Sequence, residues 1–427
     1  MIHKCNISNI NSLYKNNLAR FIGTIIFVVL IASSCKNENN LNKHEEEAIL
    51  GLQITTSPAT GQTSEPYLFS NDRTVFMSWV EKQNDSLHAL LYAEATDNNW
   101  TIPDTIATGN DWFINWADYP TITENNGQIM AHFLQKSAPG TYTYNIKYTH
   151  KLKNSLWGIP ETLNIDSTLS EHGFVSVMPF RDSFIASWLD GRKTITTDKA
   201  ESQMTLRGAI IDSSGWVKER FLLDDRVCDC CQTSVAITSN GPIVVYRDRS
   251  EDDDEIRDIS IVRWQDSTWS KPEIISKDNW HLKGCPVNGP RADAYKNSLA
   301  VAWFTAANEK PKIQIVFSRD GGATFDPPIR LDGGKPIGRV DIAMINEKTA
   351  VVSWLETKND EDVILAIKVD ADGVRSTPVA IASSSSERAS GFPQMALLND
   401  NLYFAWTAIL DEKSSVVTGI LPLAAFD

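Results

Sequence analysis

The sequence predicts an all-β chain folded as a β-propeller of seven four-stranded blades, with six blades plus an irregular element as the alternative. Three observations carry that expectation. A short apolar strand closed by an aromatic recurs at Trp79, Phe133, Trp188, Tyr246, Trp303, Trp354 and Trp406, with separations of 54, 55, 58, 57, 51 and 52 residues. A second aromatic, usually followed by proline, recurs in phase with the first. No stretch sustains the apolar period of an amphipathic helix. A steady period of this length marks a repeat architecture, in which each unit buries its apolar surface only against its neighbours.

Each unit divides in the same way. The strands leading into the first aromatics, such as Val75–Trp79, Ile243–Tyr246, Leu299–Trp303 and Leu402–Trp406, are β-branched, aromatic and too brief for helices. The second feature appears as Trp100 with Pro103, Trp157 with Pro160, Trp269 with Pro272 and Phe325 with Pro328, while Trp216 keeps the place without a proline. Proline has no ladder donor, which puts these strands at an outer edge. Four strands per unit is the make-up of a propeller blade. The last unit has only three, at 392–397, 401–407 and 414–420. The unpartnered run Ile49–Thr55, ahead of the first unit, is expected to supply the missing outer strand. That pairing seals the ring and removes an open sheet edge.

The 427 residues carry 40 Lys+Arg against 54 Asp+Glu, a formal net charge of −14. An acidic balance argues against nucleic acid as a partner, because phosphate binding needs a concentrated positive field. At the N-terminus, Lys4, Lys15 and Arg20 precede the apolar run Phe21–Ala32. A core of about a dozen apolar residues is too short to span a bilayer and fits a signal peptide over 1–34. Leu30–Cys35 resembles a bacterial lipoprotein signal, with Ala32 where a larger aliphatic is usual. That resemblance implies lipidation of Cys35, a flexible tether over 35–48 and a propeller over 49–427. The polar, acidic residues after Cys35 are similar to the surface-export signals of Bacteroidota lipoproteins. The expected address is the outer membrane or cell surface, with the lipid as the only membrane contact.

Ser318-Arg-Asp320-Gly-Gly322-Ala-Thr324-Phe325 resembles the Asp-box (BNR repeat) of sialidase-like propellers, with Phe325 in place of the usual Trp. The resemblance implies a tight turn between the third and fourth strands of a blade. Asp320 would accept backbone N–H groups there and glycine would supply positive φ. The motif speaks for the fold and is silent on chemistry.

Chemistry is expected on the opposite face, which carries the blade-to-blade linkers and the loops between second and third strands. These gather Asp118, Tyr119, Trp116, His172, Arg247, Arg249, Arg291 and Arg339 in one region. Arginine forks suit a carboxylate, sulfate or phosphate. The same arginines, with Asp293 and Asp341, are equally suited to ion pairs that tie neighbouring blades. Cys228, Cys230, Cys231 and Cys285 sit on two adjacent linkers. Outside the cytoplasm they are expected to form disulfides, with a thiolate metal site as the alternative. No metal and no cofactor is expected. The acidic run 251–255 lacks the spacing of a calcium loop.

Two functions follow. The sialidase resemblance implies a glycoside hydrolase on an anionic, sialic-acid-like glycan, with Arg247, Arg291 and Arg339 as the anion clamp, Arg249 beside them and Trp116 and His172 at the mouth. Asp118 is then the acid and Tyr119 the candidate nucleophile. The sequence departs from that family in having Ser64-Glu-Pro66 where Arg-Ile-Pro is expected, and no Tyr–Glu pair is legible. The other reading is a non-catalytic glycan- or protein-binding propeller that stacks its ligand on Trp112, Trp116 and Trp280.

Overall fold

The computed structural model describes residues 51–96, 99–198, 201–251 and 255–427. The signal segment, Cys35, the tether and residues 252–254 of the acidic run lie outside them. The strands form seven antiparallel sheets, one for each repeat unit. The inner strands are Thr63–Ser70, Ile122–Asn125, His172–Phe180, Ser234–Thr238, Arg291–Tyr295, Pro336–Met344 and Gln394–Leu398, which open blades 1 to 7 in that order. The only helices among the described residues are short 3-10 turns.

All seven recurring aromatics fall in the second strand of their blade. Trp79, Trp188, Trp303 and Trp354 are at most 1% exposed. The core is divided as the sheets are. Seven hydrophobic clusters each draw chiefly on two neighbouring blades, as where Ala302 and Phe317 of blade 5 meet Ile342 and Trp354 of blade 6. A single-layer sheet cannot bury its own faces, so each blade depends on the next. One buried Trp contributes roughly 4–6 kcal/mol of gross transfer free energy to such an interface.

The ring closes as the sequence predicts. Gln53–Thr55 pairs antiparallel with Lys413–Pro422, with Gln53 opposite Ile420 and Thr55 opposite Thr418. The two threonine hydroxyls meet at 2.7 Å. The described part of this strand begins at Gln53, inside the predicted run.

Inner strands turn one edge toward the axis, where backbone N–H groups have no strand to pair with. Side chains of the preceding blade accept several of them. Ser176 Oγ accepts from Val235 N at 2.9 Å, and Ser234 Oγ from Ala292 N at 3.0 Å. Asp293 Oδ2 accepts from Met344 N and Asp341 Oδ2 from Met395 N, both at 2.7 Å. Blades 3 to 7 are thus linked in series around the axis. Asp293 and Asp341 do tie neighbouring blades through main-chain donors, and Asp341 also lies 3.9 Å from Arg291 of blade 5.

The turn at 318–325 lies between the third and fourth strands of blade 5. Asp320 Oδ1 accepts from Ala323 N and Thr324 N at 3.0 and 2.9 Å, and Gly321 and Gly322 hold φ of 72° and 84°. Burial works against ionisation of Asp320, yet these bonds and those from Thr324 and Ser318 hydroxyls bring its pKa down to about 2.

Candidate functional site

Three of the expected site residues meet at the axis. Asp118, Tyr119 and Arg291 line one cavity with Tyr67, Phe174 and Gln232, and the space among them holds about one water molecule. Residues 116–120 form a turn rather than a strand, so Asp118 and Tyr119 both face this cavity instead of pointing opposite ways. The Tyr119 hydroxyl accepts from Arg291 Nη2. Arg291 Nε lies 3.9 Å from Asp341. Gln232 ties three linkers here. Its amide donates to Ala117 O at 2.7 Å, and its carbonyl accepts from Gly289 N at 2.9 Å.

Asp118 is the centre of a proton-sharing group. Its Oδ1 accepts from Phe174 N at 2.6 Å. Its Oδ2 lies 3.0 Å from the Tyr144 hydroxyl, which is also 2.7 Å from Glu171 Oε1. One hydroxyl has one proton, so it satisfies two carboxyl groups only when one of them is itself protonated. The electrostatics agree. Burial raises the Asp118 pKa to about 8, helped by the Glu171 charge and opposed by the Phe174 and Tyr144 bonds. Burial raises Glu171 to about 7, opposed by Tyr144 and helped by Asp229. Glu65 is buried beside them and is raised well above its ordinary value by desolvation and by Asp118. Tyr144 stays a phenol, its pKa pushed far up by burial and by both carboxylates. When Asp118 holds the proton, it can donate to the Tyr144 oxygen, which frees the Tyr144 hydroxyl to donate to Glu171. Glu171 is the member of the trio that reaches solvent. Gly173 makes room for Asp118, since a Cβ at that position falls 1.9 Å from Asp118 Oδ2.

The other expected residues lie apart from this group. Arg247 is 1% exposed, and its guanidinium donates to Asn288 O at 3.1 and 2.9 Å, Arg257 O at 2.6 Å and Phe304 O at 2.6 Å. It also packs 4.8 Å from the Trp280 ring centre. Arg339 donates to Ser390 Oγ, Gly391 O, Ser386 O and Glu387 O at 2.6–2.9 Å. Burial lowers its pKa to about 10. Arg249 is paired with Asp229 and Glu255. His172 is fully buried, with Nδ1 3.1 Å from Tyr144 O and Nε2 3.1 Å from Asp166, so it orients Tyr144 from below. Trp116 stacks on Phe392 at 5.6 Å, and Trp112 and Trp280 are 9% and 7% exposed, which leaves none of the three as an open stacking platform.

The expected disulfides do not form: Cys228, Cys230, Cys231 and Cys285 are all free thiols. Cys228 and Cys231 Sγ atoms are 2.7 Å apart, well beyond a sulfur–sulfur bond of about 2.05 Å. The thiols of Cys228, Cys230 and Cys231 lie within 4.8 Å of one another, so each has more than one sulfur neighbour.

Tyr144, Glu171, Glu65 and Tyr67 were not singled out from the sequence. Glu65 is the one charged residue of its strand, Thr63–Ser70, and it is buried. It sits at φ +55° where the blade 1 pairing shifts register, as Phe174 and Arg339 do at +55° and +56° in blades 3 and 6. Positive φ at such residues is uncommon and re-aims the side chain.

No protein-family model matches the sequence, and none of the curated proteins is similar enough to match. Solved structures do match. The polysaccharide lyase Uly1 aligns at TM-score 0.51 and 8% identity, over 84% of this chain and 90% of that one. A puromycin hydrolase aligns at 0.51 and 10% identity, over 86% of this chain and 53% of that one, so the chain spans about half its length. The phage phi92 endosialidase aligns at 0.47 and 9%, over 87% and 68%. At these identities the likeness is one of β-propeller fold.

Proposed function

We propose that this propeller hydrolyses glycosidic bonds of an anionic glycan, with Asp118 as the proton donor. The observation that carries the reading is the Asp118–Tyr144–Glu171 group beside Arg291. A general acid at neutral pH needs a carboxyl group that keeps its proton, and burial gives Asp118 that property. Asp118 gives its proton to the leaving oxygen as the glycosidic bond breaks, and a water molecule bonds to the anomeric carbon and releases its proton to solvent. Tyr144 then passes a proton to Asp118 while Glu171, in contact with solvent, resupplies Tyr144. Arg291 is the guanidinium at this cavity and the group proposed to meet the substrate's anion. Arg247 and Arg339 hold the surrounding linkers. The sequence features at 1–48 support a place outside the cytoplasm on a lipidated Cys35.

The test is turnover of a panel of fluorogenic glycosides, a sialoside included, by the parent protein and by Asp118→Asn, Tyr144→Phe and Glu171→Gln. Asp118→Asn is expected to abolish turnover with ligand affinity within a few-fold, and the other two to slow it and narrow its pH range. Full activity of Asp118→Asn refutes the assignment. The small space at the axis favours a second reading, a binding propeller without turnover. Saturable glycan binding with no hydrolysis of any substrate would select it.

A further inference from the structure

Independently of that reading, we propose that Cys228, Cys230, Cys231 and Cys285 bind one thiophilic metal ion, Zn²⁺ in the first instance. The first three come from the linker between blades 3 and 4, and their ligand atoms lie within 4.8 Å of one another. Ligands at about 2.3 Å from a tetrahedral zinc lie about 3.8 Å apart, so an ion would have to part the Cys228 and Cys231 sulfurs, now 2.7 Å apart, by about 1 Å. Cys285 arrives exposed from the next linker, between blades 4 and 5, on the side of Cys230. A disulfide joins sulfurs two at a time, whereas Cys228, Cys230 and Cys231 bring three together and Cys285 would complete the set as the fourth ligand.

The surroundings supply a second, separate argument. A divalent ion with four thiolates carries two net negative charges, which a buried site must balance. Two arginines stand by. Arg257 is 2% exposed, and its Nε and Nη1 have no hydrogen-bond partner. Arg249 Nε is buried and equally unpartnered. Arg249 pairs with Asp229, which lies between the first two cysteines, and both guanidinium groups share Glu255, Arg249 at 2.7 Å and Arg257 at 2.9 Å. Buried donors without acceptors are costly, and these N–H groups could donate to thiolate sulfurs held by an ion. His172 is not a ligand, because its two nitrogens face Tyr144 O and Asp166.

The ion would fasten two linkers around Arg247. Cys228 N already donates to Arg247 O at 3.1 Å, and Arg247 reaches Asn288 in the second linker. Binding releases the thiol protons to solvent and involves no change of oxidation state.

The experiment uses the full chain with Cys5 and Cys35 replaced by serine, purified under reducing conditions. Zn²⁺, Cu⁺ and Co²⁺ are each titrated in, with metal content, thiol reactivity and absorption read together. One ion per chain, loss of thiol reactivity and thiolate-to-Co²⁺ charge-transfer bands are expected. Tighter retention of Cu⁺ than of Zn²⁺ against a chelator of known affinity would support the site and name copper as its ion. Cys285→Ala removes an exposed ligand, so folding is preserved. It should weaken Zn²⁺ binding at least ten-fold and reduce the Co²⁺ bands. Four reactive thiols with no metal uptake would overturn the proposal. So would uptake that Cys285→Ala leaves unchanged, or disulfides in the protein as isolated.

Discussion

Replacing Arg247 by methionine tests whether this side chain holds the fold or a ligand. Methionine keeps most of the volume and the contact with Trp280. It removes four hydrogen bonds of 2.6–3.1 Å and leaves the carbonyls of Asn288, Arg257 and Phe304 without that donor. An unsatisfied buried acceptor costs about 1–3 kcal/mol, so three cost roughly 3–6 kcal/mol after some relaxation. That is a large part of the ~5–15 kcal/mol by which domains are stable. With an unfolding entropy of about 2.1 cal/mol/K per residue, 4 kcal/mol lowers the Tm of a body this size by roughly 5 °C. Lysine in the same place reaches one carbonyl at a time and should recover only a minor part. Calorimetry and urea unfolding of parent, Arg247→Met and Arg247→Lys measure this directly. A melting temperature within about 1 °C of the parent, or full rescue by lysine, would refute the reasoning. Unchanged stability with weakened binding of an anionic ligand would return Arg247 to the clamp expected from the sequence.

Two other predictions concern the axis and the closure. Asp118 has a folded pKa of about 8 against an ordinary 3.8, so the native state binds an extra proton between these values. Its contribution is complete below pH about 4 and is lost as pH rises through about 8, an effect on the order of 5 kcal/mol at most. Asp118→Asn should therefore gain stability relative to the parent between pH 5 and about 8.5 in urea titrations, and parallel curves would contradict the buried-acid assignment. Deleting residues 1–56 strips Gln53–Thr55 from blade 7 and leaves Lys413–Pro422 as a bare edge. The truncated chain should melt earlier and self-associate in light scattering, whereas a monomer with the parent Tm would show that the strand does not seal the ring.

Much of the fold was legible because its signals are local and repeated. Each second strand carries a large aromatic at the same phase, and four of the outer strands lie near an aromatic and a proline, so the spacing of the first set counted the blades. The lining of the axial cavity was legible only where one linker supplies it, as with Asp118 and Tyr119. Tyr144 and Glu171 are 27 residues apart and meet through the packing of blade 2 on blade 3, which no spacing rule encodes. The main-chain partners of Arg247 and Arg339 were hidden for a related reason. Composition shows how many guanidinium groups share a face, but whether each fork meets open space or main-chain carbonyls depends on how the linkers fold over it. The cysteines were read through compartment chemistry, and the convergence of three thiols from one short segment is a matter of local backbone path.

The pairing of Gln53 with Ile420 also sets an order of events. The first six blades have all their strands in one continuous stretch each, and their hairpins form from near neighbours in the chain. Blade 7 is different, because its outer strand is made before every other strand in the ring and its other three are made after them. Through most of synthesis the growing propeller is an open arc whose first face, with Leu68 and Met77, has no Tyr403 or Ala405 to cover it. Closing it joins positions hundreds of residues apart and is the step with the largest loop entropy in the molecule. Slow refolding governed by this final docking, with the six earlier sheets already formed, is the kinetic signature that such a seam leaves.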